Sequence, residues 1–309
     1  MKSEKIIVGE GTEYSLNGML TLPEDLTKPV PAVVMVHGSG PSNMDEKVMK
    51  LTPFKDLAEG LAEDGIASLR YDKRTFAYAR KMAKQKDLTV KEETIEDAIR
   101  AIELLKKDAR IDPDRIFILG HSMGAMLAPR IDAEGGDVRG LVMMAGTPLR
   151  LEEVVLRQLQ QASSGRSLLK WIVELEGKIF TRKFAGLYQM NDEEAKKQKF
   201  SGNLSLYYFK EMGQKTAVDY LLESNKPVLI MQGESDFQVL VDEDYRIFQK
   251  ELSARENTWF KLYPDLNHCF VSAIYDDILK ASKEYSVERH ISEEVIKEIA
   301  SFIMEQGNA

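Results

Sequence analysis

The 309-residue chain contains a single cysteine, Cys269, and only four histidines. One thiol excludes an intrachain disulfide and any CxxC metal pair. That suits a reducing compartment, and Cys269 reads as a small buried hydrophobe. No apolar run approaches the ~18 residues that a membrane span requires. The opening "MKSEKIIVGEGTEYSLNGML" lacks the apolar core of a secretory signal, so the default expectation is a cytoplasmic protein. Positive charge is also short: the formal net charge is -8. A general nucleic-acid binder needs a basic face to displace counterions, so that class is set aside. The cationic "RKMAKQK" at 80–86 reads as a solvated helix face. Internal repeats and Pro/Gly-rich linkers are absent as well, while 43% hydrophobic residues supply ample material for a core.

What remains is a rhythm. Short β-branched runs alternate with longer helical stretches, the pattern of a mainly parallel sheet with helices on both faces, an α/β fold. The start departs from it, because "EKIIVG" and "YSLNGMLTLPE" read as an antiparallel pair at the sheet edge. "AVVMVHG" (32–38) is a continuous apolar run, as in a strand buried on both faces. It is followed by a helix over "PFKDLAEGLAEDG", with Phe54, Leu57, Ala58 and Leu61 on one side. "IASLRYD", "RIFILGHS" and "VRGLVMMAG" are further strands, separated by helices over "TIEDAIRAIELLKKD" and "MGAMLAPRIDAEGG". From about Thr147 to Asn225 the rhythm breaks into helical patterns without a clear strand. It resumes as "PVLIMQGESD", "DEDYRIFQKELS", "TWFKLYPDLNH" and "SEEVIKEIASFIMEQ". The expected organisation is one α/β core, 1–146 and 226–309, carrying a helical cap insertion over 147–225.

"FILGHSMGA" holds the spacing G-x-S-x-G at Gly120, Ser122 and Gly124. A serine hydroxyl is a poor nucleophile until a base takes its proton. A sharp strand-to-helix turn would lift it above the sheet, and flanking glycines would let the backbone fold back without clashes. Here the motif follows an apolar strand and precedes a small-residue helix start, the setting it needs. The first N–H of that helix, from Met123, is a candidate oxyanion donor. "HGSGP" follows the "AVVMV" strand and would cross the top of the sheet. Ser39 is the candidate second donor through its backbone N–H, supported by Gly38 and Gly40, while His37 reads as a brace for the loop.

A base and an orienting carboxylate complete the requirement. His121 sits inside the elbow and cannot easily turn back onto its neighbour. His268 lies in "DLNHCF", just past a strand, at the edge where Ser122 should emerge. His290 precedes a helix N-cap at Ser292. His268 is therefore the expected base. Asp236, past the end of "PVLIMQG", is the expected carboxylate in preference to Glu234 and to Asp265, which is too local to His268.

The combination of "VHGSGP", "LRYDKR", "GHSMGA", "GESD" and "LNHCF" resembles the α/β-hydrolase superfamily over almost the whole chain. It is most similar to bacterial serine carboxylesterases near the dienelactone-hydrolase and prolyl-oligopeptidase-like branches. The order Ser122, Asp236, His268 follows the order of that fold. The resemblance implies hydrolysis of small-molecule carboxylic esters through an acyl-enzyme, with no metal and no organic cofactor. Two other readings share the residues: an acyl thioesterase or acyltransferase, and a non-catalytic ligand-binding protein on the same fold. Trp171, Phe180, Phe184, Tyr188, Tyr207, Tyr208 and Phe209 would give the insertion an apolar pocket wall or simply pack its own interior. Lys73 and Arg74 read as salt-bridge partners near the site. No feature of the sequence specifies an oligomeric state.

Overall fold

The computed structural model describes residues 1–164, 170–202 and 204–307, with side chains described outside 164 and 170–174. An eight-stranded sheet forms the frame. Its strands are β1 (Lys2–Val8), β2 (Leu16–Leu22), β3 (Val30–Val36), β4 (Ala67–Tyr71), β5 (Ile111–His121), β6 (Gly140–Met144), β9 (Val228–Gly233) and β10 (Thr258–Tyr263). The spatial order is β1-β2-β4-β3-β5-β6-β9-β10. The β1/β2 and β2/β4 pairings are antiparallel and every later pairing is parallel. The expected antiparallel pair thus occupies one edge.

β3 is buried along its whole length, and its alternation sorts side chains between two cores. Val34 and Val36 join Ile118, Ile102, Leu105 and Ile131 on one face. Val33 and Met35 join Phe54, Leu57, Ile299 and Phe302 on the other. The period of two in the strands thus assigns helices Glu96–Lys106 and Met123–Ile131 to one side and helices Pro53–Glu63 and Glu293–Gly307 to the other. All six parallel strands, β3 to β6 with β9 and β10, bring their carboxyl ends to one rim, where open α/β sheets place their ligands.

Between β6 and β9 the chain leaves the sheet. It forms helices Leu151–Ser164, Lys170–Phe184, Asp192–Lys197, Leu206–Met212 and Ala217–Leu222. The strandless reading of this stretch is corrected at one place: β7 (Lys199–Ser201) and β8 (Leu204–Ser205) form an antiparallel hairpin turning at Gly202, whose φ is 54°. It has a physical cause. Phe200 enters a ring cluster with Phe180, Phe184 and Phe209 at centroid distances of 4.5, 5.5 and 4.7 Å, and the extended backbone delivers it there. The helix expected over 123–136 is regular only to Ile131. It then loosens into a π-type turn over Asp132–Gly136, with Gly135 at φ 125°.

Candidate active site

Ser122 stands at the junction of β5 and helix Met123–Ile131 with φ 54° and ψ -118°, a conformation that L-residues adopt only under strain. Its amide donates to the Met144 carbonyl (2.9 Å), and its own carbonyl accepts from Ala125 and Met126, so both sides of the turn are tied. The glycines of the motif are there for space. A Cβ on Gly120 would fall inside the Gly124 carbonyl, and one on Gly124 inside the Val36 carbonyl. The helix begins directly after Ser122, which leaves the Met123 N–H among those without an intrahelical acceptor.

The loop after β3 passes in front of this turn. A Cβ on Gly38 would sit 3.2 Å from the Ser122 Cβ, tighter than an ordinary side-chain contact. The loop is held from several sides. The Gly38 N–H donates to Glu46 Oε1 (2.7 Å), and the Gly38 carbonyl accepts from Lys73 Nζ (2.9 Å). The His37 ring is buried against Phe54 and Tyr71, and its Nε2 donates to the Asn43 carbonyl (3.0 Å). Burial, with the nearby Lys73 charge, pushes His37 down to about 4. Gly40 takes φ 79° beside open space. The Gly38 N–H is bound to Glu46, and the next residue, Ser39, lines with Ser122 the cavity in front of the turn.

His268 arrives from the loop after β10. Its Nδ1 lies 2.7 Å from Asp236 Oδ2. A carboxylate only accepts, so Nδ1 carries the hydrogen and Nε2 is left as the proton acceptor. Asp236 also accepts from the amides of Gln238 (2.7 Å) and Val239 (3.0 Å) and from Gln232 Nε2 (3.0 Å). Burial works to raise this carboxyl, but His268 and those amides outweigh it and carry it below its ordinary value. Ser122 and His268 line one cavity of about 210 Å³ together with Ser39, His121 and Gln238. Ser122 also lines a second cavity of about 340 Å³, walled by Met126, Leu151, Val154, Leu204, Tyr208 and Phe209.

Asn267, Glu46 and Glu93 lay outside the sequence reading. Asn267 is buried and fastens the His268 loop, accepting from the Cys269 amide (2.9 Å) and donating to Glu284 (2.6 Å). His121 packs against the His268 ring at a centroid distance of 4.7 Å. Its Nε2 donates to the His268 carbonyl (2.8 Å), and its Nδ1 lies 3.0 Å from Glu46 Oε2 without hydrogen-bond alignment. Burial lowers the affinity of His121 for a proton, yet Glu46 reverses the balance and holds it above the ordinary histidine value. Lys73 forms a buried pair with Glu93 (2.8 Å), whose other oxygen accepts from Tyr208 (2.6 Å). Arg74 pairs with Asp97 at 2.6 Å. His290 is exposed beside Asp56, and Asp265 is exposed on its turn. Of the aromatic residues in the insertion, Tyr208 and Phe209 line the larger cavity; Phe180 and Phe184 pack the ring cluster. Tyr188 donates to Glu152 and Tyr207 lies under Lys196. The side chain of Trp171 lies outside the described residues.

Comparison with known proteins agrees with this architecture. The family described as serine aminopeptidase, S33, matches residues 27–272. Esterase EstD of Thermotoga maritima is 36% identical over 296 residues, covering 95% of this chain; the chain spans 66% of that protein's length. Among solved structures, Est1E from Butyrivibrio proteoclasticus superposes with a TM-score of 0.60 at 17% identity, covering 99% of both chains. The proline iminopeptidase of Mycobacterium smegmatis gives 0.62 at 15% identity, again over 99% of both. With the elbow, the sheet order and this match over most of its length, the chain belongs to the serine aminopeptidase S33 family of the α/β-hydrolase superfamily.

Proposed function

We propose that the protein is a serine carboxylesterase acting on esters with small to medium acyl groups. The observation that carries the reading is that Ser122, on its strained turn, lines one cavity with a His268 whose Nδ1 is held 2.7 Å from Asp236. His268 Nε2 takes the proton as Ser122 Oγ attacks the ester carbonyl, and Asp236 keeps the imidazole in the accepting tautomer. The Ser39 and Met123 amides receive the oxyanion, each worth about 2.7–4 kcal/mol by analogy with other such donors. The alcohol departs with the proton from His268. Water, activated by the same ring, then releases the acid and regenerates Ser122. The likeness to the Thermotoga esterase supports this chemistry.

Segment 147–225 serves as the cap. Leu151, Val154, Val155, Leu204, Tyr208 and Phe209 all come from it and wall the larger cavity, whose 340 Å³ suits an acyl chain of modest length. The smaller cavity on the His268 side suits the alcohol. The family description also names aminopeptidases, which must bind a substrate ammonium. Among the described residues lining the two cavities the carboxylates are Glu93 and Glu46. Glu93 is balanced by Lys73, and Glu46 is engaged by Gly38 and His121. A cation finds no unbalanced negative charge there, which favours neutral esters.

The test is hydrolysis of nitrophenyl acyl esters of increasing chain length. Turnover is expected for short chains, with a fall of about 10⁴-fold or more in Ser122→Ala. His268→Ala should be comparably inactive, whereas His290→Ala should match wild type. Turnover that survives Ser122→Ala refutes the nucleophile. Absence of turnover on every ester shifts the reading to a ligand-binding protein.

A further inference from the structure

Two hydrogen bonds and an ion pair run in series from the segment above the cavity to the loop beside Ser122. Tyr208 donates to Glu93 Oε2 (2.6 Å), Lys73 Nζ is paired with Glu93 Oε1 at 2.8 Å, and the same Nζ donates to the Gly38 carbonyl (2.9 Å). Tyr208, Glu93, Lys73 and Gly38 are all buried. Burying an ammonium and a carboxylate is costly unless each finds strong partners, and the mechanism above gives neither a chemical role.

The end of the series is informative. The Gly38 carbonyl and the Ser39 N–H belong to one planar peptide unit and point to opposite sides of it. Drawing that carbonyl onto Lys73 therefore turns the Ser39 N–H the other way. The preceding N–H, that of Gly38, is already bound to Glu46, so the loop is clamped on both sides of one α-carbon. Glycine is the residue for which a peptide flip is least hindered, and Gly38 passes close to Ser122. Without Lys73 nothing else in the described structure accounts for the orientation of this peptide. The other end touches the side chain of the other donor residue, because the Tyr208 hydroxyl lies 3.7 Å from Met123 Sδ.

We propose that Lys73 is a positioning residue that aims the Ser39 N–H, and that Tyr208 and Glu93 couple its placement to the wall of the acyl cavity. The proposal rests on the esterase reading. A cavity wall in its closed place holds Glu93, Glu93 holds Lys73, and Lys73 holds the donor on target. An acyl group that seats against Tyr208 thereby stabilises the aligned form of the oxyanion site. The effect belongs to the transition state, because the donor meets full negative charge only there.

The experiment compares wild type, Lys73→Met, Lys73→Arg, Tyr208→Phe and the Lys73→Met/Tyr208→Phe double variant on nitrophenyl butanoate. The second readout is inhibition by butylboronic acid, which forms a tetrahedral adduct on the serine. Lys73→Met is expected to lower kcat about 100-fold, the scale of losing one oxyanion donor, with KM changed less than about threefold. Boronate affinity should fall by a similar factor, and Lys73→Arg should recover most of both. Tyr208→Phe should cost several-fold alone and nothing further in the Lys73→Met background, since both act through one series.

Lys73→Met strands Glu93, so Lys73→Met/Glu93→Gln is included to keep the fold. It should remain folded and still be slow, because the Gly38 carbonyl still lacks its donor. Recovery of wild-type kcat in that variant would overturn the proposal, as would equal losses in kcat and in substrate affinity. Independent, additive effects of Lys73 and Tyr208 would sever the series. The amide resonance of Ser39 is read in the same variants without any turnover. If it stays in place when Lys73 is replaced, the clamp is refuted whatever the enzyme hydrolyses. If no ester is turned over but that resonance shifts, the clamp stands and the esterase reading alone fails.

Discussion

Replacing Ser122 with glycine and with alanine separates two costs borne by the same residue. Both changes remove the hydroxyl, so both should abolish turnover. Alanine keeps a Cβ at φ 54° and ψ -118°, whereas glycine populates that region freely. Strain of this kind amounts to about 1–3 kcal/mol, and the extra freedom of glycine in the unfolded chain returns about 0.4–1 kcal/mol. The expected outcome is that Ser122→Gly unfolds at higher denaturant than Ser122→Ala, by about 1 kcal/mol; equal midpoints would show that the turn is relaxed. Gly38→Ala acts differently. Its Cβ would meet the Ser122 Cβ at 3.2 Å and Glu46 Oε1 at 3.5 Å, contacts that a small shift of the loop relieves. A folded protein with kcat lowered at least tenfold is expected on the scale of oxyanion misalignment, measured by ester kinetics beside a melting curve. Gly124→Ala has no such relief, because its Cβ would enter the Val36 carbonyl of a central strand.

At the scale of elements, legibility follows how local the determining physics is. β3, β5, β6 and β9 could be read because each is a short apolar run broken by glycine or by a helix start, and burial on both faces leaves few other fates. The strand ends then carried Ser122, Asp236 and His268 to a common rim, as parallel topology requires. The hairpin over 199–205 could not be read. "KFSGNLS" is short and mostly polar, and its strands form because Phe200 is drawn into rings from helices outside the segment, Lys170–Phe184 and Leu206–Met212. Glu46 was equally hidden. It sits in an irregular loop at φ 50°, and only tertiary structure brings its two oxygens to Gly38 and His121. Lys73 could be placed near the site as an ion-pair partner, but its bond to the Gly38 carbonyl leaves no trace in sequence. The ring cluster offers a test of how the hairpin serves the cavity. Phe200→Ala should cost about 2 kcal/mol, less than a fully buried Phe→Ala because Phe200 is only half-buried. Phe209 touches both Phe200 and the cavity, so kcat/KM should fall more for octanoate than for acetate esters. A uniform loss across chain lengths would uncouple the hairpin from the acyl site.

At the scale of the whole molecule, the buried ionisable groups around the active rim predict an uneven response to pH. His37 is held neutral, at about 4 in the folded chain, against an ordinary value of 6.5. Below pH 6.5 the unfolded chain takes up a proton that the folded chain refuses, so stability falls as pH drops from 6.5 toward 4. The gap corresponds to about 3 kcal/mol. Asp236 and Glu46 are depressed in the folded state. Their contributions are complete above their unfolded values and are lost only as pH falls further, through the folded ones. His121 is raised. Its contribution is complete below 6.5 and is lost as pH rises through its folded value, opposite in sign to that of His37. Stability should therefore peak between these windows and decline on both sides, with His37 governing the upper part of the acid limb. His37→Gln keeps an N–H for the Asn43 carbonyl and removes the titration. Denaturant unfolding from pH 8 to 4 should show the acid limb flattened above pH 4.5 in this variant, with the alkaline limb unchanged. An acid limb as steep as that of wild type would mean that His37 is not the group held neutral, and that the loop beside Ser122 is braced by something other than an uncharged imidazole.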